Sequence, residues 1–297
     1  MQGCALAIEK LVHEAGGADV YVNLSVQRDV VPSLIADPRV RAVTVTGSVR
    51  AGRAVAQLAG AQGKKVVLEL GGSDPIIVLK DADIPKAIKL GVTSRYSNNA
   101  QSCIAAKRFL RAEPIAEAFL ESFVEQSAAL QIGDPMLPET NLGPQARKDL
   151  LENCERQVRD TVAAGVRVLL GGTPLDRSGF YFPPTVLVDL PPDAPIAREE
   201  FFGPVALIFT FKSEEEAIRL ANDSDFGLCA TVLSQDPERA NHVASRLEAG
   251  AVFINDFVRS DARAPFGGVK ASGFGRELGA LGARELTNAK LIWEPVS

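Results

Sequence analysis

A chain of 297 residues, 46% of them apolar, can bury a large core and divide into two domains, while its four cysteines lie too far apart for a zinc site or a disulfide scaffold. The net charge of −5, with basic residues scattered along the sequence, argues against a nucleic-acid partner, because binding phosphates needs a clustered positive surface. No apolar run reaches membrane-spanning length and no leader-like segment opens the chain, so a reducing cytoplasm is the expected location and a membrane is not an expected partner.

From Gln2 to Ala15 apolar residues recur at Cys4, Ala5, Ile8, Leu11, Val12 and Ala15, the period of a helix with one apolar face, closed by Gly16 and Gly17. Asp19 to Leu24 alternates as a short strand, Val30 to Ala36 reads as a helix, and Val40 to Val45 reads as a buried strand running into Thr46-Gly47-Ser48. A helix from Ala51 to Gln62 and a strand from Lys65 to Leu70 follow. Strands alternating with helices predict a parallel, doubly wound sheet. The join VTVTGSVRAG is strand, turn and helix start, where free N–H groups and the helix dipole favour an anion. Gly47 and Gly52 do not make up G-x-G-x-x-G, and plain capping by Ser48 explains the turn as well.

Beyond Gly72 the sequence predicts a strand at Pro75 to Leu79, a helix at Ile84 to Tyr96, a loop holding Cys103, a strand at Arg108 to Arg111 and a helix at Pro114 to Leu130. The Pro-rich GDPMLPETNLGP is a turn region. Leu150 to Ala164 is helical, GVRVLLGG is strand then turn, and the Gly203-Pro204 turn feeds a strand over Val205 to Phe211. Amphipathic helices at Glu214 to Asn222 and Pro237 to Leu247 flank a strand at Ala230 to Leu233. After AGAVFIND comes FVRSDARAPFGGVKASGFGRELG, a loop long enough to suggest function, and then a terminal strand at Ala289 to Val296. His13 and His242 fall in the amphipathic helices, where a surface position is the default, so no metal site is expected.

Two stretches carry chemistry. Cys103 sits in the small, polar run SNNAQSCIAA, and Glu69 ends the apolar run KKVVLEL just before Gly71 and Gly72, 34 residues earlier. A cysteine is a nucleophile only as thiolate, and a partly desolvated carboxyl with a raised pKa can serve as base toward the thiol or a water. The glycines let backbone pass close to a ligand or another segment. Taken singly, Cys103 reads more readily as a buried apolar filler than as a catalyst, and Glu69 merely as a strand end.

Together, VLELGGSD and SNNAQSCIAAKRFL resemble the aldehyde dehydrogenase superfamily, and SDARAPFGG with the Trp-containing end is most similar to its bacterial succinate-semialdehyde dehydrogenases. The resemblance implies an α/β fold: a partial doubly wound, parallel-sheet cofactor domain over residues 1–71, an α/β catalytic domain over 72–271, and a return segment with a C-terminal oligomerisation strand over 272–297. It implies that Cys103 attacks an aldehyde to give a thiohemiacetal that passes hydride to NAD or NADP and leaves a thioester, which Glu69 opens by activating water. Gly47, Ser48 and Leu70 then belong to the cofactor site, as do Glu200 and Phe202 of REEFFGP, whose Glu lies 97 residues after Cys103. Ser260, with Arg259 or Arg263, would hold the distal carboxylate of a semialdehyde, and Phe266 would line the same pocket. The expected partners are a small aldehyde and further copies of the chain.

Members of that superfamily also carry a long N-terminal portion ahead of the helix at Gln2. Its absence implies a loss of strands and of one oxyanion donor, a loss worth about 10² to 10³ in turnover. Two further readings follow: an impaired fragment that folds without turning over, and a cofactor-free thiol esterase. A Cys-His protease is disfavoured because neither histidine has a catalytic context.

Overall fold

The computed structural model describes residues 2–191 and 194–295. Helix α1 (Gln2–Glu14) forms as its period predicts, yet it buries no residue: Leu6, Ile8 and Leu11 face outward. The stretch Asp19 to Leu24, expected as a strand, is irregular, with Val20, Val22 and Leu24 exposed. A strand needs a hydrogen-bonding neighbour, and among the described residues none runs beside it. Helix α2 (Val31–Ala36) carries Pro32 in its first turn, where no N–H is needed.

Strand β1 (Ala42–Thr46), helix α3 (Val49–Ala61) and strand β2 (Lys65–Glu69) make a strand–helix–strand unit. The two strands pair in parallel with Thr46 opposite Glu69. The expectation of a buried first strand is corrected: β1 is only half covered, whereas β2 becomes fully buried from Val67 to Glu69. The other edge of β2 is occupied by the late loop, where Leu68 and Leu70 N–H donate to the Phe274 and Ser272 carbonyls at 2.9 and 3.0 Å.

The second sheet begins with β3 (Pro75–Val78), α4 (Ile84–Tyr96), β4 (Arg108–Ala112), α5 (Ala116–Ala128) and α6 (Lys148–Ala163). It continues through β5 (Arg167–Leu170), β6 (Thr185–Val188), β7 (Val205–Phe211), α7 (Glu214–Asn222), β8 (Phe226–Gly227), β9 (Cys229–Leu233), α8 (Pro237–Ala244) and β10 (Ala251–Ile254). Seven strands line up as β10-β9-β3-β4-β7-β6-β5, parallel throughout except for β5 at one edge. Strand β6, in the run PPTVLVDLPP, has no counterpart among the sequence expectations.

The period of two divides this sheet's residues between two cores. Ile76, Val78, Phe109, Val186 and Ile208 face α4 and α5, where the Phe109 and Phe123 rings meet at a tilt with centroids 4.7 Å apart. Ile77, Leu110, Leu187, Leu207 and Phe209 face α6, α7 and α8. Caps explain several helix starts: Asp83 accepts from Lys86 N–H, Ser213 from Glu216 N–H, and Asp236 from Glu238 and Arg239 N–H.

The late loop folds back as β11 (Val269–Lys270), antiparallel to β8, and ends in the short helix α9 (Gly279–Glu285). The terminal strand expected over Ala289 to Val296 is not formed: residues 289–295 are irregular and exposed, and Val296 lies outside the described residues. Among the described residues no strand pairs with them. No helix among the described residues is long and apolar enough to cross a membrane.

Candidate functional site

Glu69 is the last residue of β2, and the chain leaves it through Leu70 into the Gly71–Gly72 turn. Its side chain is 3% exposed and neither carboxylate oxygen has a hydrogen-bond partner. Burial pushes the carboxyl up to about 7; the charge of Glu277 adds to the shift and that of Arg276 opposes it. A Cβ placed on Gly267 would stand 2.8 Å from Glu69 Oε1, so the carboxylate looks onto bare backbone beside Phe266.

Cys103 lies in the loop between α4 and β4 and is partly buried. The polar neighbours it has in sequence do not surround it in space. Cys103 and Ile104 pack against Leu228, Cys229 and Val258, together with Phe253 and Phe266. Burial raises the thiol, Lys107 opposes that rise, and Asp74 and Glu200 reinforce it. Cys103 and Glu69 are brought to one region: the Cys103 carbonyl lies 2.6 Å from where a Cβ on Gly72 would stand, in the turn just after Glu69, and Gly267, which faces Glu69, follows Phe266, which packs on the same apolar cluster as Cys103.

The remaining residues singled out in the sequence divide into two groups. Gly47 and Ser48 stand at the end of β1 beside Glu69, since Gly47 N–H donates to the Glu69 carbonyl at 3.0 Å and Ser48 Oγ caps α3 through Ala51 N–H. Leu70 is buried beneath α3, where it fills the space a Cβ on Gly52 would need. Glu200 crosses 128 residues to accept from Gly72 N–H at 2.9 Å, and Phe202, half-buried, follows it. These all meet the Glu69 and Gly71–Gly72 region. The second group is looser. Ser260 and Arg263 are exposed, and Arg263 forks onto Asp261 while Arg259 pairs with Asp256 at 2.5 Å. Only Phe266 of the expected substrate residues packs with Cys103.

Sequence reasoning passed over three buried polar residues at the same place. Lys107 is fully buried and donates to the Ser102 and Cys103 carbonyls. Asp74 accepts from Cys229 N–H at 3.1 Å, and burial raises its carboxyl while Lys107 opposes the rise. Ser272 donates to the Gly71 carbonyl at 2.7 Å and accepts from Gly227 N–H. The one available signal was a lysine directly after the apolar CIAA, four residues after the cysteine. Among the described residues no group of three or more His, Cys, Asp or Glu side chains is placed to hold a metal.

Buried carboxylate, half-buried thiol, helix N-terminus and glycine turn thus meet at one end of β1 and β2. The chain was compared with known proteins. The family model "Aldehyde dehydrogenase family" matches residues 2–292. A succinate semialdehyde dehydrogenase [NAD(P)+], Sad, of Escherichia coli K12 is 52% identical over 99% of this chain and 64% of its own length. A probable succinate-semialdehyde dehydrogenase [NADP(+)] of Synechocystis is 50% identical over 98% of this chain and 64% of its own length. The solved succinic semialdehyde dehydrogenase of Streptococcus pyogenes, in complex with NADP+, superposes with a TM-score of 0.94 at 40% identity, covering 98% of this chain and 64% of that one. The chain therefore spans about two thirds of the length of these relatives.

Proposed function

The chain belongs to the aldehyde dehydrogenase family, and from that premise we propose that it oxidises an aldehyde, succinate semialdehyde by preference, to the carboxylic acid with NAD or NADP. The observation that carries the proposal is the buried Glu69 carboxyl, with no hydrogen-bond partner, just before the Gly71–Gly72 turn on which the Cys103 loop lies. The substrate preference is supported by the names of the relatives above.

The residues present fit a dinucleotide. Helix α3 starts at the Gly47–Ser48 turn, where the Ser48 cap takes only the Ala51 N–H, Gly52 lets the helix press onto Leu70, and Glu200 stands where a Cβ on Gly71 would collide with its carboxylate. When bound, the nicotinamide supplies the hydride acceptor. The chain's own residues do the rest. The Cys103 thiolate adds to the aldehyde carbon, the Cys103 backbone N–H donates to the resulting oxyanion, and hydride loss leaves a thioester on sulfur. Glu69 takes a proton from the water that attacks the thioester carbonyl, and the thiolate leaves as the acid is released. A carboxyl whose pKa is about 7 suits that task, because near neutral pH a substantial fraction is ionised and that fraction is basic enough to accept the proton.

The same proposal includes residues 1–71 as the cofactor-binding part, 72–271 as the catalytic part and 272–297 as a return and assembly segment, in a cytoplasmic homo-oligomer. The separate two-stranded and seven-stranded sheets support the division, and the exposed Leu291, Ile292 and Trp293 support the assembly. The test is formation of reduced nicotinamide by the purified chain given succinate semialdehyde with NAD or NADP, run beside hydrolysis of an activated ester. Ester turnover without reduced nicotinamide would replace the proposal with a thiol hydrolase. Silence in both would remove it.

A further inference from the structure

Lys107 is the fully buried cation at the centre of the site, and its side chain ties together segments far apart in sequence. Its ammonium donates to the Cys103 carbonyl at 2.6 Å and the Ser102 carbonyl at 3.0 Å, and it lies 3.8 Å from Glu200 Oε1. That same Glu200 oxygen accepts from Gly72 N–H, in the turn that leaves Glu69. The Lys107 backbone is fixed on both sides, its N–H to the Asp74 carbonyl and its carbonyl to Leu207 N–H. The nucleophile loop, the carboxylate from residue 200 and the turn behind the base are thus joined through one charge.

Burying an ammonium is costly unless its donors are used and its charge is matched. Aliphatic packing would serve as well if residue 107 were there only to fill space, because the three residues before it are one isoleucine and two alanines. We propose that Lys107 is a positioning residue of this site, holding the Cys103 loop against the Gly71–Gly72 turn and placing a positive charge behind the Cys103 thiol. It acts through Cys103 and Glu200 and touches no reacting atom. The charged groups facing Lys107 are Glu200, Asp74, Arg95 and Cys103, and those facing the thiol are Lys107, Asp74 and Glu200, with the Ile104 N–H beside it. Lys107 is the one group among the thiol's three charged neighbours that favours the thiolate.

This inference rests on Cys103 being the nucleophile of the proposed function, so its test reads the thiol without requiring turnover. The purified chain, Lys107→Met and Lys107→Gln are alkylated with iodoacetamide across pH 6 to 10, and modification of Cys103 is followed by mass spectrometry of its peptide, with the exposed Cys4 as internal standard. Loss of the charge is expected to move the Cys103 profile to higher pH, slowing alkylation at pH 8 by roughly tenfold, the effect of one unit in the thiol pKa. The glutamine variant keeps a donor for the carbonyls and is expected to keep the loop's amide hydrogen-exchange protection better than the methionine variant. Folded variants with an unchanged Cys103 profile would overturn the proposal, and loss of the fold in both would assign Lys107 to stability alone and overturn it too. A wild-type Cys103 that fails to react at any pH while Cys4 does would instead remove the nucleophile itself.

Discussion

The Cys103 carbonyl oxygen stands 2.6 Å from where a Cβ on Gly72 would be, so the loop bearing the thiol lies directly on the turn that follows Glu69. Asp74 Oδ1 and the Leu228 Cβ close the same space at 3.1 and 3.3 Å. Backbone and buried carboxylate cannot swing aside as a flexible side chain would. Gly72→Ala is therefore expected to cost about 1 to 3 kcal/mol of stability and to depress aldehyde oxidation further than that loss explains. Urea unfolding beside a rate measurement on the folded fraction separates the two. Wild-type values in both would show that the close approach is not real.

Cys103→Ala is expected to lower aldehyde oxidation and ester hydrolysis by at least about 10³, with an unchanged circular dichroism spectrum. Cys229→Ala provides the contrast. Burial holds the Cys229 thiol far above the usual range, so it cannot ionise near neutral pH, and its removal should leave turnover within a few-fold. Equal losses from the two substitutions would contradict the assignment of the nucleophile.

Glu69 ties stability to pH. Its folded-state pKa of about 7 lies above the ordinary value of 4.5, so between those values the folded chain holds a proton that the unfolded chain has released. Stability is then lost as pH rises through that window, by up to about 2 to 3 kcal/mol from this group. Glu69→Gln cannot ionise, so the variant should gain relative to wild type between pH 5 and pH 8 while losing thioester hydrolysis. Denaturant midpoints of both proteins at four or five pH values decide the matter. Parallel pH curves would mean that the carboxyl is not desolvated.

Ser260 and Arg263 provide the test of substrate preference. Replacing both by Ala is expected to lower kcat/KM for succinate semialdehyde by roughly tenfold or more and to spare butyraldehyde. Arg263 forks onto Asp261, which holds the Asp261 carboxyl well below the usual range, so a substrate carboxylate would have to compete with that neighbour. Asp261→Asn should for that reason improve the semialdehyde's KM. Equal losses on the two aldehydes would take these residues out of the substrate site.

Local chemistry in the sequence placed most elements. The helix Ile84–Tyr96 is bounded by the Asp83 cap and Pro85 at one end, and Glu214–Asn222 begins at the Ser213 cap with three acidic residues in its first turn. Both agree with the sequence reading to the residue because a cap acts within one turn. The Asp19–Leu24 and Ala289–Val296 strands failed for the opposite reason. Alternation is a property of the segment, but a strand also needs an edge to pair with, and among the described residues none pairs with Asp19–Leu24 or with residues 289–295. Strand β6 went unnoticed because four apolar residues between prolines carry no period that separates strand from loop.

What the sequence determined by itself was the list of reactive groups and their local settings: a thiol in a loop, a carboxylate at a strand end, a glycine turn and a capped helix start. Tertiary structure alone decided what surrounds them. It set an apolar wall of Leu228, Cys229, Val258 and Phe266 against a cysteine preceded in sequence by polar residues, left Glu69 buried and unpaired, and brought Glu200 across 128 residues to Gly72 and close to Lys107. Desolvation and long-range charge fix whether a thiol or a carboxyl is ionised, and both depend on neighbours supplied by distant parts of the chain.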